Sequence, residues 1–453
     1  MSIPEKYRDR YFFHFTHLEN LDSIVKNGVL CTNSKNEKRI EHVNVAAQTI
    51  QARRSTMEVP CEPNGTVHDY VPFYLCSTNP MFLSLVNQKN VDQALVIFFA
   101  ISINYVARDN VVFTSASANT GSPPDFFSNP EDLRHLDWEL IGIKKWARGA
   151  DDELHRRMAE VLVYKNVPVT DLEYIVVWNE SIKNQVESIF ALNNVKCPPI
   201  SFTPFKSTYR FHFTKFMLDR PNETLVTGPV ELKNKFEETV ASVIEKRQKS
   251  TADAKYPFSN ISDLLDTIDG EFSSIPELEG IFELETENDV HSENVSDHTL
   301  KVVEALLKSD CYQGFVKTDQ NILKLSAYLH DIGKGPKSKW RSGKQPAFAD
   351  HPVDALPMLE RVLVEDIENL SDSKIRIICL LVAYHDLIGE IIGKGRDIQQ
   401  LFKVVKNEKE LEMLACLNRA DITAIGNFGW MIMYNRSESK IKEQALEKLK
   451  TND

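Results

Sequence analysis

The chain has 453 residues, 42% hydrophobic and 26% charged, with a formal net charge of −12. That length exceeds one ordinary domain and predicts two or three, while the composition excludes a disordered, collagen-like or membrane-embedded protein. The net charge excludes a globally basic nucleic-acid coat but is uneven, with 24 basic and 25 acidic residues in 1–220 against 23 and 34 in 261–453, so a local basic groove fits only the N-terminal part.

In chain order, Tyr11–Phe15 is aromatic and β-prone, and Asn20–Asn27 reads as a short helix closed by Gly28. Ala94–Ile103 is a buried strand or a short buried helix, and Glu160–Tyr164 and Tyr174–Trp178 are further strand candidates. Residues 113–130, punctuated by Gly and Pro, read as a loop. An α+β domain over 1–220 is expected. Residues 229–248 have helical periodicity and a breaker-rich stretch follows, so 221–258 reads as a helical linker. From 259 to 453 apolar residues recur at three- and four-residue spacing in 298–308, 320–330, 353–364, 373–385, 396–406 and 409–418. That predicts an all-α domain of about seven helices.

The seven cysteines, Cys31, Cys61, Cys76, Cys197, Cys311, Cys379 and Cys416, are odd in number and lack a C-x-x-C spacing. They read as reduced, mostly buried thiols of a cytosolic protein. The N-terminus lacks the apolar core of a signal peptide. No apolar run approaches the ~20 residues of a membrane helix, so a cytoplasmic protein with no membrane partner is expected.

In the N-terminal part, a strand ending in Thr16-His17 before a helix suits a phosphate- or amide-bearing ligand. His68-Asp-Tyr-Val-Pro-Phe-Tyr74 is unusually aromatic. Glu160 opens an apolar strand, where a carboxylate is either at a sheet edge or functional. These segments, with Asn27-Gly28, Arg54 ahead of Val59-Pro60, Pro80-Met81, Asp137-Trp138 and Ala159-Glu160-Val-Leu-Val, resemble the DarT family of DNA ADP-ribosyltransferases over about 10–215. The resemblance implies an ADP-ribosyltransferase-like α+β fold and transfer of ADP-ribose from NAD to a base in single-stranded DNA. It implies Glu160 and Arg54 as catalytic residues, with Arg53 the fallback. Arg54 would hold NAD phosphate or polarise the base. His17, Asn20 and Tyr74 would bind NAD, and a macrodomain antitoxin enters as a partner of such proteins. Met158 replaces a Gln usual in the family, and the run after Tyr74 also departs. The loop 139–158, with Lys144, Lys145, Arg148, Arg156 and Arg157, is the expected substrate contact.

In the C-terminal part, His330-Asp331 follows an apolar helix and precedes Ile-Gly-Lys334-Gly. Adjacent imidazole and carboxylate at a helix end can reach one metal and suit Mn, Fe, Zn, Co or Mg, and several helices can aim at one point. His291, His298, His330-Asp331, His351, His385 and Asp421 together resemble the HD superfamily of metal-dependent phosphohydrolases, over about 260–435. More narrowly, they resemble the HD domain of the GlnD uridylyl-removing enzymes. The resemblance implies one divalent metal on His298, His330, Asp331 and Asp421. His351 and His385 would serve a second metal or the substrate phosphate, Lys334 would touch phosphate, and metal-activated water would be the nucleophile. Asp386 and His291 are weaker candidates. No nucleotidyltransferase motif precedes this domain, so a uridylyl-protein substrate does not carry over.

The combined expectation is a bifunctional protein suited to a toxin or phage-defence role. The alternative is a degenerate NAD- or DNA-binding module attached to an HD phosphohydrolase as the only enzyme.

Overall fold

The computed structural model describes residues 3–43, 48–119, 123–146, 149–201, 211–220, 222–249, 255–287, 293–346 and 348–452. The candidates Arg148 and His291 lie outside them. The described chain forms two units, Met1–Thr224 and Leu225–Asp453.

Aromatic and β-branched runs of up to seven residues build the first unit's sheet, because side chains of that shape pack on a pleated surface. Its strands are β1 (Tyr11–His17), β2 (Tyr70–Tyr74), β3 (Val96–Ser102), β4 (Val111–Thr114), β5 (Phe126–Phe127), β6 (Glu160–Tyr164), β7 (Tyr174–Val176) and β8 (Ile200–Ser201). They form one sheet in the order β8-β7-β3-β1-β2-β6-β4-β5. All pairings are antiparallel except β8 with β7. The apolar run Ala94–Ile103 resolves as strand β3, paired on both sides by β1 and β7. A strand covered on both faces shows no polar alternation, which is why the sequence left helix and strand open. The expected loop 113–130 is corrected in part. Thr114 closes β4, and Phe126–Phe127 pairs with it as an edge strand, Phe127 stacking on Phe113 at 5.4 Å between centroids. Two residues are too few for a periodic signal.

Helices surround the sheet. Of these, α1 (Leu21–Asn27) ends at Gly28, whose φ of +79° is the left-handed region that favours glycine. Helix α2 (Gln48–Arg54) delivers Arg54, α3 (Pro80–Asn87) is capped by Asn79, and α4 (Asp151–Arg157) leads into β6.

The second unit is helical and carries one two-stranded parallel ribbon, Glu285–Glu287 with Lys344–Pro346. It opens with α5 (Pro229–Lys249), the helix that the sequence placed in a linker. Leu232, Phe236 and Val243 of α5 are buried at helical spacing, and Phe236 meets Tyr384 edge-on at 5.7 Å. That apolar stripe docks α5 onto its own unit. The helices that carry the candidate ligands are α6 (Val295–Lys308), α7 (Lys317–Leu329), α8 (His351–Arg361), α9 (Asp372–Tyr384) and, after α10 (Leu387–Lys394), α11 (Glu408–Ile425). Ile261–Gly270, α10 and the closing helix α12 (Phe428–Asn452) were not marked by the six periodic stretches. Helix α10 owes its place to Gly393, where a Cβ would overlap the Trp430 ring.

The reading of all seven thiols as reduced is corrected. Cys311 and Cys416, 105 residues apart, are joined in a disulfide, and the other five are free. A long-range pairing of this kind leaves no spacing signature. No described helix is long and apolar enough to cross a membrane.

Candidate functional site

Two charged centres stand out, one in each unit. In the first, Glu160 is the opening residue of β6, flanked by β2 and β4 in the middle of the sheet. It is fully buried, so a sheet-edge position does not explain its charge. Arg54, also buried, forks onto it through two parallel hydrogen bonds of 2.9 Å, Nη1 to Oε1 and Nη2 to Oε2. The backbone N–H of Ala118 donates a third to Oε1 at 2.9 Å, and the Ser117 hydroxyl approaches at 3.4 Å. Burial works against the Arg54 charge, but Glu160 outweighs it and raises the Arg54 pKa. A buried ion pair is tolerable only when its remaining lone pairs are satisfied, and Ala118 meets that need.

A cleft of about 150 Å³, open to solvent, runs from this pair along β1. Arg54, Tyr74 and Asn20 line it, and Glu160 meets it through Arg54. The Tyr74 ring stacks on Phe15 at 5.9 Å, and its hydroxyl donates to Met81 Sδ at 3.1 Å. Burial, then Glu160, pushes its pKa far up, so it stays a neutral donor. Asn20 is spent on the wall. Its Oδ1 accepts from Val43 N at 2.8 Å, and its Nδ2 donates to Val43 O at 2.9 Å and Thr16 Oγ1 at 3.0 Å. His17 is buried outside the lining, with Nδ1 accepting from Glu19 N at 3.3 Å.

The cleft instead presents His14, which the sequence reading passed over. His14 and Thr16 share one face of β1 by the two-residue period of a strand, and that alternation was the signal available. His14 Nδ1 lies 2.7 Å from the Pro72 carbonyl, which can only accept, so Nδ1 carries the proton. Burial pulls its pKa down to about 4, leaving a neutral ring whose Nε2 accepts.

The expected contact loop is partly self-engaged. Arg157 is buried, and its Nη2 donates to Thr78 O, Ile143 O and Lys145 O at 2.8, 3.2 and 3.0 Å, fixing the loop's path. Lys144 Nζ donates to Ser77 Oγ at 2.7 Å, and Arg156 pairs with Asp137 at 2.5 Å and Asp152 at 3.0 Å.

The second centre gathers six candidate ligands from helix ends and interiors. His298 comes from the first turn of α6, His330-Asp331 follow α7, His351 opens α8, His385 follows α9 and Asp421 sits in α11. All six are buried. His298 Nε2 is 2.9 Å from Asp421 Oδ1, and His351 Nε2 is 3.3 Å from Asp331 Oδ1. Three imidazoles are oriented alike. The Nδ1 atoms of His330, His351 and His385 lie 2.7, 2.8 and 2.9 Å from the carbonyls of Ala327, Phe348 and Val382. Each Nδ1 therefore donates, and each Nε2 faces the cluster. Gly333 permits this packing, because a Cβ there would collide with the His351 backbone.

The donors fit a divalent ion. His351 and His385 oppose Nε2 to Nε2 at 3.1 Å, an arrangement of two acceptors that calls for a shared cation. His330 Nε2 and Asp331 Oδ1 are buried without a hydrogen-bond partner. His298, His330 and Asp331 form one group of convergent ligand atoms, and Asp331, His351 and His385 a second. Burial would raise the Asp331 pKa, but His330 and Lys334 outweigh it and hold the carboxyl well below its usual range. Lys334 Nζ sits 2.6 Å from Asp331 Oδ2, so it is engaged with the cluster itself. Asp386 stands 3.6 and 3.7 Å from the Nε2 atoms of His385 and His351.

Residues 13–210 match the family model described as ssDNA thymidine ADP-ribosyltransferase, DarT, and residues 290–424 match the HD domain model. A DNA ADP-ribosyl transferase of Thermus aquaticus is 34% identical over 193 residues, which cover 42% of this chain and 84% of that protein. A bifunctional uridylyltransferase/uridylyl-removing enzyme of Cereibacter sphaeroides is 25% identical over 172 residues, 34% of this chain but 17% of the enzyme. The structure of Thermus sp. 2.9 DarT in complex with ADP-ribosylated ssDNA is 27% identical and aligns with 45% of this chain and 97% of its own, at a TM-score of 0.40.

Proposed function

We propose, from the premise that this chain belongs to the DarT family of DNA ADP-ribosyltransferases, that its N-terminal unit transfers ADP-ribose from NAD to a base of single-stranded DNA. The observation that carries this reading is the Arg54–Glu160 fork, buried at the cleft and held by Ala118. Breaking the nicotinamide–ribose bond develops positive charge on the ribose carbon. A carboxylate fixed beforehand stabilises that charge without reorganising. Arg54 holds Glu160 in one orientation through the fork, and Tyr74 walls the cleft next to the pair. The incoming base displaces nicotinamide at the same carbon. A single strand offers that base without the cost of unstacking it from a duplex, and thymidine, named in the family description, is the first base to test. The intact pair speaks against a degenerate binding module.

For the C-terminal unit we infer a divalent metal on His298, His330, Asp331, Asp421, His351 and His385, and phosphoester hydrolysis or nucleotide sensing as its use. A bound ion would supply Lewis acidity to a phosphoryl group. Orientation of the imidazoles by the carbonyls of Ala327, Phe348 and Val382, and of Asp331 by Lys334, is the chain's own contribution. The pyrophosphate of DNA-linked ADP-ribose is a substrate within that chemistry. A toxin or phage-defence role, with a macrodomain antitoxin as partner, follows from the family premise.

Intact-mass spectrometry tests both halves. Oligonucleotides incubated with NAD and the protein gain one ADP-ribose, and Glu160→Gln abolishes the gain. Identical adducts from wild type and Asp331→Ala would remove the DNA-linked pyrophosphate as the second substrate. No adduct on any oligonucleotide would remove the transferase reading.

A further inference from the structure

Anion binding in the cleft depends on which cations remain available there. Among the described residues lining it, none is Asp or Glu, and Arg54 and Lys35 are the permanent cations. Two of the five guanidinium donors of Arg54 are committed to Glu160, whose charge balances its own. A phosphate placed on Arg54 would meet a cation whose charge Glu160 already balances, and would sit beside that carboxylate.

Lys35 has no such commitment. It pairs with no carboxylate among the described residues, and its Nζ lies 3.2 Å from His42 Nε2. His42 Nδ1 approaches the Ile40 carbonyl at 3.4 Å, which can only accept, so Nε2 is the acceptor and Lys35 donates to it. An ammonium has three donors, so two are left for the cleft. The seat is built. His42 lies on the segment that Asn20 clamps at Val43, and Lys35 comes from the short helix Thr32–Glu37, capped by Cys31. Burial lowers the Lys35 pKa, and burial, then Lys35, lowers that of His42. A partly buried cation in an acid-free cleft is a site that gains from an anion.

We propose that Lys35, seated on His42, is the anion subsite of this cleft and takes the pyrophosphate of NAD, while Arg54 serves Glu160. This assignment rests on the transferase reading for the identity of its ligand. It gives Lys35 the phosphate-holding role that the sequence reading had offered to Arg54.

The test uses the full chain and two probes, ADP and adenosine, which differ by the pyrophosphate. Calorimetry on wild type is expected to show ADP binding more tightly than adenosine. Lys35→Met is expected to remove roughly tenfold of that preference, Lys35→Arg to restore part of it, and Lys35→Met to raise the KM for NAD by a similar factor. An undiminished preference in Lys35→Met, or a wild type that binds ADP no better than adenosine, overturns the subsite. A wild type that never turns NAD over but shows the Lys35-dependent preference would overturn the transferase reading and leave the subsite standing.

Discussion

In the N-terminal unit the buried charges close on each other: Arg54 forks on Glu160, and Ala118 supplies a further hydrogen bond. In the C-terminal unit six ligand-type side chains converge and leave His330 Nε2 and Asp331 Oδ1 without hydrogen bonds, with His351 and His385 facing acceptor to acceptor. Both centres are buried and charged. The difference lies in what is left over. A carboxylate whose oxygens are already met is preorganised for a positive charge that appears only during reaction. A cluster with unmet lone pairs is one that a cation would complete. Counting unmet atoms thus sets the proposed catalytic pair apart from the proposed metal cluster where burial alone does not.

The sharpest way to break this comparison is Glu160→Gln. Adduct formation on single-stranded DNA is expected to fall by about three powers of ten, read by intact mass, on the scale of losing a preorganised charge. Thermal melts of the same variant are expected to show a loss of about 3 kcal/mol, because Arg54 keeps its charge without a partner. Normal adduct yield would mean that the pair is structural.

The converse test removes a ligand from the unmet cluster. Wild type is expected to retain a divalent ion through desalting and to gain about 4 kcal/mol of stability with metal at a thousand times its dissociation constant. Asp331→Ala, which belongs to both candidate groups, is expected to lose both the metal content and the gain. Metal analysis and melts with and without chelator read this, and equal response in the two proteins would dissolve the contrast.

A smaller effect concerns pH. His14 is held neutral by burial, with its pKa pulled down to about 4 from 6.5. The unfolded chain therefore binds a proton between pH 6.5 and 4 that the folded state refuses. Stability is full above pH 6.5 and declines as pH falls through that window, by about 3 kcal/mol for this group. Urea unfolding at pH 7 and 4.5 measures the decline, and His14→Gln is expected to flatten it. The smallest effect concerns Asp350, the residue before His351. Thr227 Oγ1 donates to Asp350 Oδ2 at 2.8 Å, beside two backbone contacts from Thr227 N. Thr227→Val is expected to cost about 1 kcal/mol in melts of the C-terminal unit and to leave DNA adduct yield as it was.

Much of both centres was legible before the fold. Glu160 at the head of EVLVY marks itself, because a carboxylate entering an apolar strand needs a reason. His330-Asp331 at a helix end, with His298 and Asp421 at helical positions, likewise reads as ligands from residue type and place. Less legible was the division of labour in the cleft. His17 and Asn20 were expected to touch NAD, yet His17 lies outside the lining and Asn20 spends its amide on Thr16 and Val43. His14, Lys35 and His42 line the cleft without any motif to announce them.

The sequence by itself determined the two-part organisation, the strand and helix character of the main segments and the residues that the two charged centres gather. These depend on local periodicity and residue type, which a chain carries in its order. Only the tertiary structure decided that Glu160 lies in the middle of the sheet, that Arg54 from 106 residues away forks onto it, that α5 docks on the second unit, and that Cys311 meets Cys416. Each of these depends on which distant surfaces pack together. Packing is settled by the summed burial of many side chains, none of which names its partner in the sequence.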